Sequence, residues 1–110
     1  MNEPAHSSDD CVGDKPQPRE GAIVRELTIC NRKGLHARAS ARFVQTVEKF
    51  DADVRVTRCG ETVGGTSIMG LMMLAASPGT RITVEAIGKD ASEVVEALTV
   101  LIESRFGESE

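Results

Sequence analysis

Residues 31–44 read NRKGLHARASARFV, a stretch that joins a turn to the beginning of an amphipathic helix. Asn31 to Gly34 interrupt the apolar pattern before them, and Gly34 allows a sharp turn, including one with positive φ. From Ala37 onwards, apolar side chains recur with helical spacing, and charged or polar residues occupy the opposite side. The pattern predicts a helix over 37–50 that follows directly on a turn.

The segments on either side of this helix complete a regular alternation of elements. Residues 23–30 and 81–87 alternate as half-buried strands, and 53–64 read as a hairpin that turns at Gly60. A short helix is expected within 64–76, and a longer amphipathic helix over 91–106. The order βαββαβα predicts an α+β open-faced β-sandwich, in which a four-stranded, mostly antiparallel sheet carries three helices on one face.

Residues 1–22 differ in composition from the rest of the chain. They hold three of the four prolines and few large apolar side chains, and their five acidic and two basic residues account for −3 of the net charge of −4. We therefore expect 1–22 to be a disordered acidic tail and 23–110 to form one folded domain. With 110 residues, of which 40% are hydrophobic, the chain can bury a single core.

Composition also excludes several classes of function. The net charge of −4 argues against a nonspecific nucleic-acid binder. The longest run without charged or hydroxyl side chains, 68–76, is too short to span a bilayer, and the N-terminus lacks the apolar segment of a signal peptide. We therefore expect a cytoplasmic protein without membrane insertion. The cysteines show no CxxC spacing, so the sequence does not support a zinc site. We also expect no other metal and no cofactor.

The chemistry of residues 34–40, GLHARAS, centres on His36 and Arg38. His36 falls at or just before the first residue of the predicted helix, where free backbone N–H groups and the positive end of the helix dipole favour an anion. The guanidinium of Arg38 adds paired donors that suit phosphate oxygens. These are the parts of a histidine that accepts a phosphoryl group. Taken alone, the same residues are also compatible with an ordinary histidine near a helix cap beside a solvated arginine.

Two motifs together resemble a known family. The stretch 31–44 looks like the active-site segment of HPr, the histidine-containing phosphocarrier of the bacterial phosphoenolpyruvate-dependent sugar phosphotransferase system, and 65–80, GTSIMGLMMLAASPGT, resembles its regulatory-serine segment. The resemblance implies that His36 is phosphorylated on Nδ1, that Arg38 stabilises the phosphoryl group, and that Ser67 is a regulatory phosphorylation site. It also implies a monomer whose partners are enzyme I as donor, an EIIA-type acceptor and HPr kinase/phosphorylase.

The helix predicted after Ser67 is apolar on every side. A short helix on one face of a sheet cannot bury all of its surface, so if Leu71 and Leu74 face the core, another side is left exposed. That side carries Ile68, Met69 and Met72, and adaptable exposed side chains of this kind favour partner docking. The family resemblance places partner contacts at the same position.

Ala39 stands where the family pattern usually has proline, and it leaves two interpretations of the function open. In the first, the chain is a phosphocarrier that passes phosphoryl groups between larger proteins. In the second, it is mainly a regulatory module of an incomplete or nitrogen-related phosphotransferase system, whose phosphorylation state controls partner proteins. A third class, a small metal-binding or ligand-binding domain, lacks supporting residues.

Overall fold

The computed structural model describes residues 18–108 and confirms the predicted order of elements. The seven elements are β1 (Ile23–Thr28), α1 (Ala37–Glu48), β2 (Asp53–Arg58), β3 (Glu61–Gly64), α2 (Ile68–Met73), β4 (Arg81–Ile87) and α3 (Ala91–Glu103). The predicted extent of α3 is wrong, because the helix ends at Glu103 and a short 3₁₀ turn, Arg105–Gly107, follows it. Within residues 18–108, no helix has both the length and the apolar character needed to cross a membrane.

The four strands form one sheet in the order β1-β4-β2-β3, and each neighbouring pair is antiparallel. The predicted hairpin is present as β2 and β3. Cys59 and Gly60 join these strands with φ angles of 53° and 79°, and two consecutive positive values are what a tight two-residue hairpin turn requires. The fold prediction is therefore confirmed in its strands and their pairing.

The core lies between one face of the sheet and the helices. Alternate residues of β4 are fully buried on this face, namely Ile82, Val84 and Ala86. The helices contribute their apolar sides, and Phe43 of α1 is fully buried. Phe106, in the 3₁₀ turn after α3, is also fully buried, so the segment that follows α3 is anchored in the same core.

The predicted tail lies mostly outside the described residues, which begin at residue 18. Its disorder and the boundary after residue 22 therefore stay predictions. Within the described part, Arg19 contacts the sheet: its Nε and its backbone N–H donate to the carboxylate of Glu85, and its Nη1 lies 2.7 Å from Asp53 Oδ2. Glu85 alternates with Val84 and Ala86, so its side chain lies on the face opposite the helices.

Candidate functional site

His36 occupies the N-cap of α1, with extended backbone angles of φ −78° and ψ −175°. Its carbonyl oxygen accepts the first intrahelical hydrogen bond, from Ser40 N–H at 2.8 Å, but its imidazole makes no capping bond. The N–H groups of residues 37–39 precede the first residue that can find a partner within the helix. The ring therefore stands beside free donors and the positive end of the helix dipole, as the sequence predicted.

The loop before His36 is held by close backbone packing that requires glycine at position 34. Gly34 has a φ of +66°, and a Cβ there would lie 2.3 Å from the carbonyl oxygen of Ala76. The next residue, Leu35, donates its N–H to that same oxygen at 2.9 Å. The loop before His36 therefore packs directly against the segment that follows α2, and this contact helps to position His36.

The imidazole of His36 is bound by a carboxylate from the other end of the domain. Its Nε2 lies 2.6 Å from Oε2 of Glu108, and the other carboxylate oxygen, Oε1, accepts from Asn31 Nδ2 at 3.1 Å. Burial alone would raise the pKa of Glu108, but the hydrogen bonds from Asn31 and His36 and the nearby charges of His36 and Lys33 hold it below the ordinary value.

The ionised Glu108 determines which ring nitrogen of His36 carries the hydrogen. A carboxylate can only accept hydrogen bonds, so Nε2 must be the donor in this contact. In the neutral ring, the lone pair then belongs to Nδ1. The geometry therefore leaves the lone pair of the neutral ring on Nδ1, which is the atom that the family resemblance implies to be phosphorylated.

His36 and Glu108 line an open cleft of about 620 Å³ whose remaining charged side chains are all basic, namely Arg32, Lys33, Arg38 and Arg42. Arg38 is exposed in the first turn of α1, so the structure brings it into the same cleft as His36. Several guanidinium and ammonium groups around one imidazole favour a bound anion such as a phosphoryl group. The whole chain, by contrast, is acidic.

Ser67 lies at a second position singled out by the sequence, the N-cap of α2. Its Oγ accepts a hydrogen bond from the N–H of Gly70 at 2.9 Å, so the predicted cap is present. The residue itself is exposed. A modifying enzyme could therefore reach the hydroxyl without unfolding α2.

The apolar side of α2 that faces solvent is larger than the sequence indicated. Leu71 and Leu74 are buried, while Ile68, Met69 and Met72 are exposed by 40%, 68% and 39%. Met73 was not predicted to belong to this surface, yet it is 72% exposed. We call the four exposed residues (68, 69, 72 and 73) the α2 patch. The segment that follows α2 contacts the loop before His36 through Ala76, whose carbonyl oxygen accepts from Leu35 N–H at 2.9 Å.

Comparison with known proteins identifies the family. A family model described as the PTS HPr component phosphorylation site, where PTS denotes the phosphotransferase system, matches residues 23–104. The chain belongs to the HPr family. Phosphocarrier protein HPr of Neisseria meningitidis serogroup A is 51% identical over 88 residues, which cover 80% of this chain and 99% of that protein. Phosphocarrier protein NPr of Shewanella violacea is 34% identical over 87 residues, covering 79% of this chain and 96% of that protein.

Solved structures give the same result for the fold of this HPr-family domain. The crystal structure of HPr from Thermoanaerobacter tengcongensis superimposes with a TM-score of 0.76 at 42% identity, and the match covers 80% of this chain and 99% of that one. The family resemblance and the α+β sandwich are thereby confirmed. The chain is accordingly a phosphocarrier protein of the phosphotransferase system.

Two residues of the candidate site could not be found by reading the sequence. The pattern around Asn31 predicts only a turn that ends a strand, and no motif includes Glu108. The carboxylate of Glu108 is separated from His36 by 72 positions along the chain. No local pattern signals such a contact, and the only hint in the sequence is that Glu108 directly follows the glycine at which the last predicted helix ends.

Proposed function

We propose that this chain accepts a phosphoryl group on Nδ1 of His36 from phosphorylated enzyme I and passes it to an EIIA-type acceptor. One observation carries the proposal: Glu108 holds Nε2 as a donor, which leaves the lone pair on Nδ1 beside the basic cleft. The chain would act as a covalent intermediate rather than as an enzyme. We propose that it works as a cytoplasmic monomer without a metal or another cofactor.

The transfer needs little from the protein besides orientation and charge. The lone pair of Nδ1 forms a bond to phosphorus while the bond between phosphorus and the donor atom breaks, and that electron pair stays with the donor. The free N–H groups of the first turn of α1 and the guanidinium of Arg38 then stabilise the phosphoryl oxygens. The side chain of Arg38 is exposed, so the guanidinium is accessible to the phosphoryl group and to an acceptor.

The test is phosphorylation by phosphoenolpyruvate and enzyme I. The wild-type chain should acquire one phosphoryl group that is lost in acid and persists in base, as expected of phosphohistidine. His36→Ala should acquire none and should still fold, because the imidazole makes no capping bond and Glu108 keeps its hydrogen bond from Asn31. A variant that is still phosphorylated by enzyme I would assign the acceptor to another residue.

We further propose that Ser67 is a regulatory phosphorylation site for HPr kinase/phosphorylase. Its hydroxyl is exposed and directly precedes the α2 patch, so a phosphate there would place a dianion at the edge of that apolar surface. We propose that the α2 patch, with Ile68, Met69 and Met72, docks enzyme I and the acceptor. A partner that buries the patch would then have to desolvate the added charge.

A second candidate function is the regulatory one, in a nitrogen-related phosphotransferase system. It is favoured by the similarity to an NPr protein and by Ala39, which replaces the usual proline. The two candidates differ in the acceptor. Transfer assays with one sugar-specific and one nitrogen-related EIIA protein would separate them, because a carrier of the regulatory branch should transfer faster to the nitrogen-related protein.

A further inference from the structure

We infer that Glu108 is a positioning residue for phosphoryl transfer, which fixes the ring of His36 in the Nε2–H form and neutralises the charge that the ring acquires on phosphorylation. This inference rests on the proposed function of His36. It concerns a residue that lies outside both sequence motifs and beyond the part of the chain matched by the family model, which ends at residue 104.

The contact between Glu108 and His36 is built by an unusual piece of backbone. Arg105, Phe106 and Gly107 all have positive φ angles, of 60°, 57° and 76°. Such a conformation is unfavourable for the two non-glycine residues, and it persists only where the surroundings enforce it. We call residues 105–108 the C-terminal strap.

Two contacts enforce the conformation of the C-terminal strap. The side chain of Phe106 is fully buried in the core, and its carbonyl oxygen accepts from Nη1 of Arg42 at 2.8 Å. Arg42 belongs to α1, the helix that begins directly after His36. The strap is therefore fastened to the same helix that carries the histidine, and its last described residue, Glu108, ends against the imidazole.

Asn31 holds the carboxylate from the other side. Its side chain is fully buried, and Nδ2 donates both to the carbonyl oxygen of Gly34 at 2.9 Å and to Glu108 Oε1 at 3.1 Å. Both partners are acceptors, so the amide nitrogen and not the oxygen must face them. Asn31 thereby ties the carboxylate to the turn that precedes His36, and it leaves Oε2 directed at the ring.

The balance of the transfer step explains why a carboxylate is useful here. When the lone pair of Nδ1 forms the bond to phosphorus, the donor atom keeps the electron pair of the bond that breaks, and no proton moves. Nε2 keeps its hydrogen, so the imidazole becomes positively charged. Glu108 Oε2, 2.6 Å from Nε2, compensates that charge as it develops. The low pKa of Glu108 keeps the carboxylate ionised for this purpose.

The test compares Glu108→Gln with Glu103→Gln, in which an exposed carboxylate at the end of α3 is removed in the same way. Two quantities are measured: the rate of phosphorylation by enzyme I, and the tautomer of the His36 ring by long-range ¹H–¹⁵N NMR at a pH where the ring is neutral. Glu108→Gln should slow transfer about tenfold or more, the worth of a hydrogen bond to a charged group. It should also shift the ring towards the Nδ1–H form, since the amide can donate to Nε2. Glu103→Gln should change neither quantity.

Three results would overturn the inference. The first is an unchanged transfer rate in Glu108→Gln. The second is slower transfer with an unchanged tautomer, which would make Glu108 a contact for the partner instead. The third is an equal effect of Glu103→Gln. If the wild-type chain accepted no phosphoryl group on His36, the proposed function would fail, but the tautomer measurement would still report whether Glu108 fixes the ring.

Discussion

The guanidinium of Arg19 should contribute measurably to the stability of the domain, although it precedes β1. Glu85 is buried on the sheet face away from the helices, and Arg19 donates to it through Nε and through the backbone N–H at 3.0 Å. Arg19→Met removes the guanidinium and keeps most of the apolar stem. The backbone donor remains, so the buried carboxylate loses one charged partner and not all of them.

The magnitude follows from that count of contacts. One hydrogen bond to a charged group is worth about 1.5–3 kcal/mol. The second ion pair, to Asp53, adds little because the Asp53 side chain is 64% exposed. We therefore expect Arg19→Met to lose about 1.5–3 kcal/mol of unfolding free energy. For a domain of this size, the melting temperature should fall by about 4–8 °C for each kcal/mol.

The pH dependence gives the sharper test. Burial alone would raise the pKa of Glu85, but the hydrogen bonds and charge of Arg19, with a contribution from Arg55, hold it below the ordinary value of 4.5. A group whose folded pKa is depressed stabilises the protein above its unfolded pKa, and this stability is lost as the pH falls through the folded value. In Arg19→Met the buried carboxylate of Glu85 has lost the guanidinium of Arg19, so its ionised form destabilises the folded state. Protonation of Glu85 at low pH removes this destabilisation.

The difference in stability between wild type and Arg19→Met should therefore be largest at about pH 7 and smaller at about pH 3, because the pH then falls below the ordinary pKa of Glu85 and towards its lowered folded value. Urea unfolding followed by circular dichroism at both pH values measures it. Lys89→Met is the matched control, since it removes an exposed cation from the turn before α3. A difference that is the same at both pH values, or no larger than that of Lys89→Met, would refute the role assigned to the pair.

Two further predictions concern the proposed phosphoryl transfer. Arg38→Ala should slow phosphoryl exchange with enzyme I but should not lower the free energy of unfolding, because a cation in the first turn of α1 is unfavourable by about 0.3–1 kcal/mol. Quenched-flow transfer assays and urea unfolding measure the two effects. A wild-type rate of transfer would contradict the role assigned to Arg38. Ser67→Asp should melt no lower than wild type, since its carboxylate can still cap α2, yet it should accept phosphoryl groups more slowly. Ser67→Ala loses the cap but adds no charge, so it should melt at a lower temperature and accept phosphoryl groups at the wild-type rate.

The strands and helices could be predicted because the hydrophobic periods agree with the turn residues along the whole domain. The alternation in β4 and the apolar side of α1 are local properties, and each is read within one element. The predicted end of α3 is wrong for a physical reason. The pattern of apolar side chains continues to Phe106, and this residue is indeed buried, but it reaches the core through the left-handed C-terminal strap and not through another helical turn.

The same distinction explains what could be learned of the site. His36, Arg38 and Ser67 lie at helix starts. The free N–H groups and caps of a helix start depend on residues that are adjacent in the sequence, so they can be predicted from it. The tautomer of His36 depends instead on Glu108 and Asn31, which meet the ring only after both ends of the domain have folded together. A motif can therefore name the candidate residue, whereas the ring nitrogen that keeps its lone pair is decided by a contact across 72 positions. If the inference is right, changes to the C-terminal strap should alter the chemistry of His36 while the motif itself stays intact.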